Sequence, residues 1–147
     1  MHVDRHLLVA QLIRHEGMRL RLYQCPAGKT TIGVGRNLEA NGIREAEALF
    51  MLKLDIAEAE HAVRNLLHGQ RISLDSVIGP RFDALVNVCF NIGPGSLRGF
   101  KRMFAAIRAG DWDQAGAELL NSRYAIEVGQ RAYELAAQLI LGEYGET

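Results

Sequence analysis

Residues 20–38 read LRLYQCPAGKTTIGVGRNL and differ in character from the segments on either side. A Pro-Ala-Gly turn at 26–28 separates a first apolar run from the β-branched run at 30–34. This order of β-branched and turn residues predicts a small antiparallel hairpin or a three-stranded ribbon. Because a ribbon of this size is barely stable by itself, we expect it to pack on helices.

Helical periodicity dominates the rest of the chain. Apolar residues four apart predict a first helix over 3–15, with Asp4 as its early cap. Apolar residues seven apart predict a long helix over 44–68 that joins two lobes. Further helices are predicted over 81–92, over 96–108, after an N-cap at Asp111, and over 129–141.

These elements predict an α+β fold that is mostly helical. We expect a single domain over 1–147 in two lobes. The N-terminal lobe covers about 14–45 and carries the β ribbon, the inter-lobe helix covers about 44–68, and the helical C-terminal lobe covers about 70–147. The N-terminal helix is expected to pack on the C-terminal lobe.

Composition excludes several classes of protein. The chain has 147 residues with 17 basic and 17 acidic side chains, and this balance argues against a nucleic-acid binder. No apolar run reaches the length of a membrane span, and the N-terminus does not read as a secretory signal. Cys25 and Cys89 have no metal-like spacing, so we expect neither a metal nor a disulfide framework, and synthesis in a reducing cytoplasm.

Three side chains with chemical potential flank the predicted ribbon. Glu16 ends the first helix, Cys25 lies in the ribbon turn and Thr31 lies in the strand. A helix end followed by a ribbon brings such positions to one edge of a cleft, where a carboxylic acid, a thiol and a hydroxyl could surround one water. Glycoside hydrolysis needs a proton donor and a group that positions water. The alternative is a surface Glu, a half-buried Cys and an ordinary strand Thr.

The segment at 15–38, HEGMRLRLYQCPAGKTTIGVGRNL, resembles the active-site segment of the phage-type lysozymes, the endolysins of glycoside hydrolase family 24. Their pattern is E-G-x-R-L-x-x-Y-x-D/C-x-x-G-x-x-T-I-G-x-G. The matching residues are Glu16, Gly17, Arg19, Leu20, Tyr23, Cys25, Gly28, Thr31, Ile32, Gly33 and Gly35. The similarity continues at 42–67, 82–100 and 110–123, and so covers nearly the whole chain. Arg36 departs from it, because relatives often carry His there.

The resemblance implies a lysozyme-like fold and hydrolysis of the β-1,4 bond between N-acetylmuramic acid and N-acetylglucosamine in peptidoglycan. Glu16 would be the general acid, and Thr31 would help to hold the attacking water. Cys25 stands where many relatives have Asp. Its thiol would orient water, act as a base if a cation such as Arg21 or Lys29 lowers its pKa, or attack the sugar as a thiolate.

The resemblance also implies roles for three residues of the C-terminal lobe. Arg131 would support catalysis by pairing with Glu16, although it also reads as an exposed helix arginine. Phe90 would lie near the sugar chain or belong to the core, and Asn91 would bind an acetamido group. Cys89 lies on an apolar helical stripe and reads as core.

A phage muramidase of this kind needs no cofactor and is expected to be a monomer without stable membrane insertion. It would accumulate in the host cytoplasm and reach the wall after a separate holin-type protein permeabilises the membrane. Two other functions remain open: a lytic transglycosylase, which forms an anhydro-sugar, and a non-catalytic wall-binding module. A helix-turn-helix DNA binder conflicts with the zero net charge.

Overall fold

A computed structural model describes residues 5–145, and within them the chain forms eight α-helices and one three-stranded sheet. The predicted cap Asp4 lies outside the described residues. The helices are α1 (His6–Glu16), α2 (Leu38–Asn41), α3 (Glu45–Gly69), α4 (Pro80–Arg98), α5 (Lys101–Arg108), α6 (Trp112–Leu120), α7 (Arg123–Val128) and α8 (Gln130–Leu141). The strands are β1 (Arg19–Gln24), β2 (Thr30–Gly33) and β3 (Arg36–Asn37). The predicted α+β class, mostly helical with a small N-terminal β element, is confirmed.

The sheet is antiparallel in the order β1-β2-β3, as the ribbon prediction required. Thr31 pairs with Tyr23 on one side and with Asn37 on the other. Thr31 is buried, with 3% of its surface exposed, whereas the other residues of β2 are partly buried. Its backbone is paired on both sides because β2 is the central strand.

The chain divides into two compact units, Met1–Phe50 and Met51–Thr147. The first unit contains α1, the sheet and α2, and α1 buries none of its side chains. The long helix α3 begins in the first unit and continues into the second. The predicted lobe boundaries, and the packing of α1 on the C-terminal lobe, stay predictions.

The second unit holds the hydrophobic core. Fully buried side chains come from five of its helices, among them Leu67, Leu85, Phe104, Leu119 and Leu139. Cys89 is also buried in this core, as predicted, and burial raises the pKa of its thiol.

The helices differ from the prediction at several points. The predicted helix over 96–108 is wrong: residues up to Arg98 belong to α4, and α5 begins at Lys101, after Phe100 leaves helical geometry. The predicted break at 93–95 is a kink inside α4, where Gly93 has φ +84°. The short helices α2 and α7 were not predicted; Asn37 and Ser122 cap their first turns by accepting bonds from Ala40 and Ala125.

Close packing of α6 on α8 predicts the effect of a single methyl group. A Cβ at Gly116 would lie 2.5 Å from Ile140 Cγ1 and 3.0 Å from the Ala136 carbonyl oxygen. We expect Gly116→Ala to lower the free energy of unfolding by about 1–3 kcal/mol, because neither α6 nor α8 can move away freely. Gly95→Ala is the control, since a Cβ there meets nothing within 4 Å. Equal denaturant midpoints for the two variants would contradict this account of the packing.

Candidate active site

Glu16 is the last residue of α1, and Gly17 ends the helix with φ +76°. The Gly17 N–H donates to the Ile13 carbonyl at 2.8 Å, which closes the final turn. The Glu16 side chain is exposed, and its carboxyl group lies over Gly35 in the turn between β2 and β3. The helix end and the sheet thus meet at the side chain that the sequence singled out as the acid.

Cys25 lies in the other turn of the sheet, and Thr31 lies close to it in β2. The turn after β1 is closed by two backbone bonds, Gly28 N–H to the Cys25 carbonyl at 2.8 Å and Cys25 N–H to the Lys29 carbonyl at 3.0 Å. The Thr31 hydroxyl donates to the same Lys29 carbonyl at 2.8 Å, and it is near enough to the Cys25 sulfur to contribute to the lowered pKa of the thiol. The structure therefore places the predicted thiol and hydroxyl close together.

Hydrogen bonds lower the pKa of the Cys25 thiol below its ordinary value. The largest contribution comes from the backbone N–H of Lys29, followed by that of Ala27, and the Thr31 hydroxyl adds to them. Donors aimed at a sulfur favour its thiolate form. From the sequence, the charge of Arg21 or Lys29 was considered as a possible cause of a lowered pKa. The causes found are hydrogen bonds: Lys29 acts through its peptide group, and its ammonium lies 4.0 Å from Glu39.

The sheet is also tied to the helices of its own unit. The backbone N–H of Thr30 donates to Glu39 of α2 at 2.9 Å. Arg36, the residue that departs from the family pattern, donates to Glu47 in the first turn of α3. Glu47 also accepts a bond from Arg44 at 2.8 Å, and these two arginines hold the pKa of its carboxyl below the usual value. Arg36 is therefore an anchor for the β2–β3 turn.

The predicted support residue Arg131 lies near the start of α8 in the second unit. Its guanidinium donates twice to the Asn87 side-chain oxygen, from Nε at 3.0 Å and from Nη2 at 2.7 Å. Asn87 is on α4, so this contact joins the first turn of α8 to α4. Arg131 is thus an oriented side chain, and its predicted pairing with Glu16 stays a prediction.

A cavity of about 430 Å³ in the second unit includes Arg131 and Phe90 in its wall. Its lining residues are Leu52, Ile56, Glu60, Asp83, Val86, Asn87, Phe90, Arg131 and Tyr144. Phe90 is 47% exposed, so it faces this cavity and is not plain core. Asn91 is exposed and does not belong to the lining found among the described residues.

Sequence reasoning missed the far wall of this cavity. Tyr144, just beyond α8, donates its hydroxyl to Asp83 of α4, and this bond raises the pKa of the phenol to about 12. The pairing joins positions that lie far apart in the sequence, and neither residue belongs to a motif. No local pattern could therefore have indicated it.

Two further features of the described residues bear on other chemistry. Among residues 5–145, no three His, Cys, Asp or Glu side chains cluster so that they could hold a metal ion. No helix in the described part of the chain combines the length and the apolar character that crossing a lipid bilayer requires.

Comparison with known proteins gives one consistent family. The profile of the phage lysozyme family matches residues 13–138. An endolysin of Acyrthosiphon pisum secondary endosymbiont phage 1 is 32% identical over 89% of this chain and 86% of its own length. The endolysin of Salmonella phage P22 is 31% identical over 62% of this chain and 64% of its own length. The pre-baseplate central spike protein Gp5 of Enterobacteria phage T4 is 30% identical over 74% of this chain, which spans 23% of that protein.

Proposed function

Because the chain belongs to the phage lysozyme family, we propose that it is an endolysin that hydrolyses the β-1,4 bond between N-acetylmuramic acid and N-acetylglucosamine in bacterial peptidoglycan. The family membership and the endolysin relatives support a peptidoglycan-lysing enzyme. The bond that is cleaved, the catalytic residues and the mechanism are the proposal.

One observation carries this proposal: a carboxylic acid and a thiol–hydroxyl pair lie close to the same small sheet. The Glu16 carboxyl group lies over the β2–β3 turn, and Cys25, in the β1–β2 turn, lies close to Thr31 of β2. Glycoside hydrolysis uses an acid on one side of the scissile bond and a water-handling group on the other. The first unit offers both types of group.

Glu16 is the general acid. Its carboxyl proton passes to the bridging oxygen as the bond between that oxygen and the anomeric carbon breaks. The leaving sugar thereby departs as a neutral alcohol, and the carboxylate that remains is reprotonated from solvent before the next cycle.

Cys25 and Thr31 handle the attacking water. The water oxygen bonds to the anomeric carbon, and its proton passes to the Cys25 thiolate, whose formation the lowered pKa favours. Thr31, buried in the central strand, offers a fixed hydroxyl as the second partner of that water. A retaining course, with the thiolate attacking the sugar directly, would need the two groups roughly 5 Å apart, against roughly 6.5–9.5 Å for inversion.

The cavity of the second unit binds part of the glycan. Phe90 and its apolar neighbours suit the face of a pyranose ring and the methyl group of an acetamido substituent. Asn91 retains its predicted role as a hydrogen-bonding partner of the sugar. Arg131, oriented by Asn87, retains its predicted role in support of the catalytic acid.

The route to the substrate is part of the same proposal. The chain acts as a monomer that accumulates in the host cytoplasm. A separate holin-type protein then permeabilises the membrane, and the enzyme meets the wall. The endolysin relatives support only its last step, action on the cell wall.

Analysis of the cleaved ends tests the function. Purified sacculi are digested, and the soluble glycans are reduced with borohydride and identified. We expect reducing N-acetylmuramic acid at the new ends, because water adds to the muramic acid carbon in the proposed reaction. Anhydro ends would indicate a lytic transglycosylase, and reducing N-acetylglucosamine would place the cut at the other bond. Binding to sacculi without release of fragments would indicate a wall-binding module.

A further inference from the structure

The Glu16 carboxyl group occupies the space that a side chain at position 35 would fill. A Cβ built on Gly35 would lie 2.7 Å from Glu16 Oε2, 3.0 Å from Cδ and 3.1 Å from Cγ. The first of these distances is well inside van der Waals contact. Any residue other than glycine at this position therefore competes directly with the carboxyl group for its location.

The β2–β3 turn cannot easily move aside. Arg36, the next residue after Gly35, is bonded to Glu47 in the first turn of α3. Glu47 is held in turn by Arg44, one turn of chain away. On its other side the turn continues into the central strand, β2. A clash at Gly35 is therefore relieved on the Glu16 side.

The Glu16 side chain can move away from position 35 with little effect on the stability of the fold. The clashing atoms are at the free end of a flexible and exposed side chain, which reaches other rotamers by rotation about single bonds. A substitution at Gly35 thus leaves the sheet in place and relocates the carboxyl group. Stability and catalysis should respond differently to the same change.

We propose that Gly35 is a positioning residue of the reaction. Because glycine has no side chain, the space next to its Cα, called the seat below, accommodates the Glu16 carboxyl group in its productive position. The Arg36–Glu47 contact holds the turn that forms this seat in place. The inference rests on the proposed function, in which Glu16 is the acid. It assigns to this glycine a role separate from the backbone conformation of the turn.

Gly33 offers a matched control for backbone strain. Gly33 and Gly35 have φ of +69° and +68° and stand two residues apart in the same sheet. A Cβ at Gly33 meets nothing within 4 Å, whereas a Cβ at Gly35 meets Glu16. Alanine at either position is strained at nearly the same positive φ, so the difference between the two variants reports mainly the contact with the carboxyl group.

The experiment measures kcat and KM on solubilised glycan strands for Gly35→Ala, Gly33→Ala and Gly35→Asn. For Gly35→Ala we expect kcat to fall about tenfold or more beyond the Gly33→Ala value and KM to stay within about twofold. Asn tolerates positive φ but keeps a Cβ, so Gly35→Asn should restore stability without restoring kcat.

A double variant separates the failure of this inference from the failure of the proposed function. If Gly35 acts through Glu16, then in the Glu16→Gln background Gly35→Ala should lower the residual kcat no more than Gly33→Ala does. Equal kcat for Gly35→Ala and Gly33→Ala, with Glu16→Gln inactive, would contradict the positioning role of Gly35. The role of Glu16 as general acid would still stand. Recovery of kcat in Gly35→Asn would also contradict the positioning role, because the fall of kcat in Gly35→Ala would then result from backbone strain. Full activity of Glu16→Gln alone would instead remove the function on which the inference rests.

Discussion

Glu16→Gln is expected to abolish lysis of outer-membrane-permeabilised bacteria while leaving the fold intact. The amide has nearly the shape of the acid but has no proton to give to the leaving oxygen, and general acid catalysis is worth about 10²–10⁴-fold. The side chain is exposed, so the change in the free energy of unfolding should stay within about 0.5 kcal/mol. The rate of turbidity loss measures the first quantity, and thermal unfolding measures the second.

Glu45→Gln is a suitable control for this experiment. Glu45 is an exposed glutamate of the same unit, at the start of α3, and the substitution makes the same change of charge. We expect lysis close to the unaltered rate. Lysis by Glu16→Gln at the rate of this control would remove Glu16 from the role of acid and, with it, the proposed mechanism.

Much of the fold could be predicted because its signals are local. The Pro-Ala-Gly turn at 26–28 and the β-branched residues after it predicted the sheet. Heptad spacing predicted the long helix to within one residue at each end. Asp111 was predicted as an N-cap, and its carboxylate accepts the Gln114 N–H at 3.0 Å. Each of these features depends on residues a few positions apart, where propensity and periodicity act.

The errors arose where short segments depend on geometry that no periodicity records. The helix α2 has four residues, too few to show a helical repeat, and it is stabilised by the Asn37 cap. The break before α5 results from the backbone of Phe100, a residue whose type favours no break. Both features follow from the path of the chain between larger elements.

The candidate site, like the fold, combines features that the sequence indicated with contacts that only the structure gives. The spacing of Glu16, Cys25 and Thr31 alone left an ordinary structural interpretation open, and the resemblance to the phage-type lysozymes singled these residues out. The structure adds what each side chain touches. The donors around the Cys25 sulfur are peptide N–H groups, whose direction is set by the turn and leaves no trace in residue types. The sequence pointed to charged side chains because residue types reveal charges but not the direction of peptide groups. The contact of Glu16 with Gly35 is likewise a property of the turn's path.

The Cys25 series is expected to show that the group at this position handles water. Cys25→Ser should reduce activity about 100-fold or more, because a hydroxyl does not ionise near neutral pH and so cannot take the proton of the water. Cys25→Asp should retain much of the activity, since a carboxylate can accept that proton. Lysis rates and kcat on solubilised strands measure both effects.

The pH profile makes this prediction sharper. The thiolate is the active form, so the activity of the unaltered protein should rise with pH through the lowered pKa of Cys25 and fall below it. In Cys25→Asp this acid limb should move to lower pH, toward the ordinary carboxyl value of about 3.9. In Cys25→Ser the limb should disappear, because no group at that position titrates in the range.

Cys89 supplies the control for thiol chemistry as such. It is buried in the helical core, and burial raises the pKa of its thiol, so Cys89→Ala should lower stability while keeping the pH profile of activity. Equal activity and identical acid limbs for the thiol, the hydroxyl and the carboxylate at position 25 would make the Cys25 sulfur incidental. The water would then have to be activated elsewhere, and the hydrogen bonds around the sulfur would be no more than the way this turn closes.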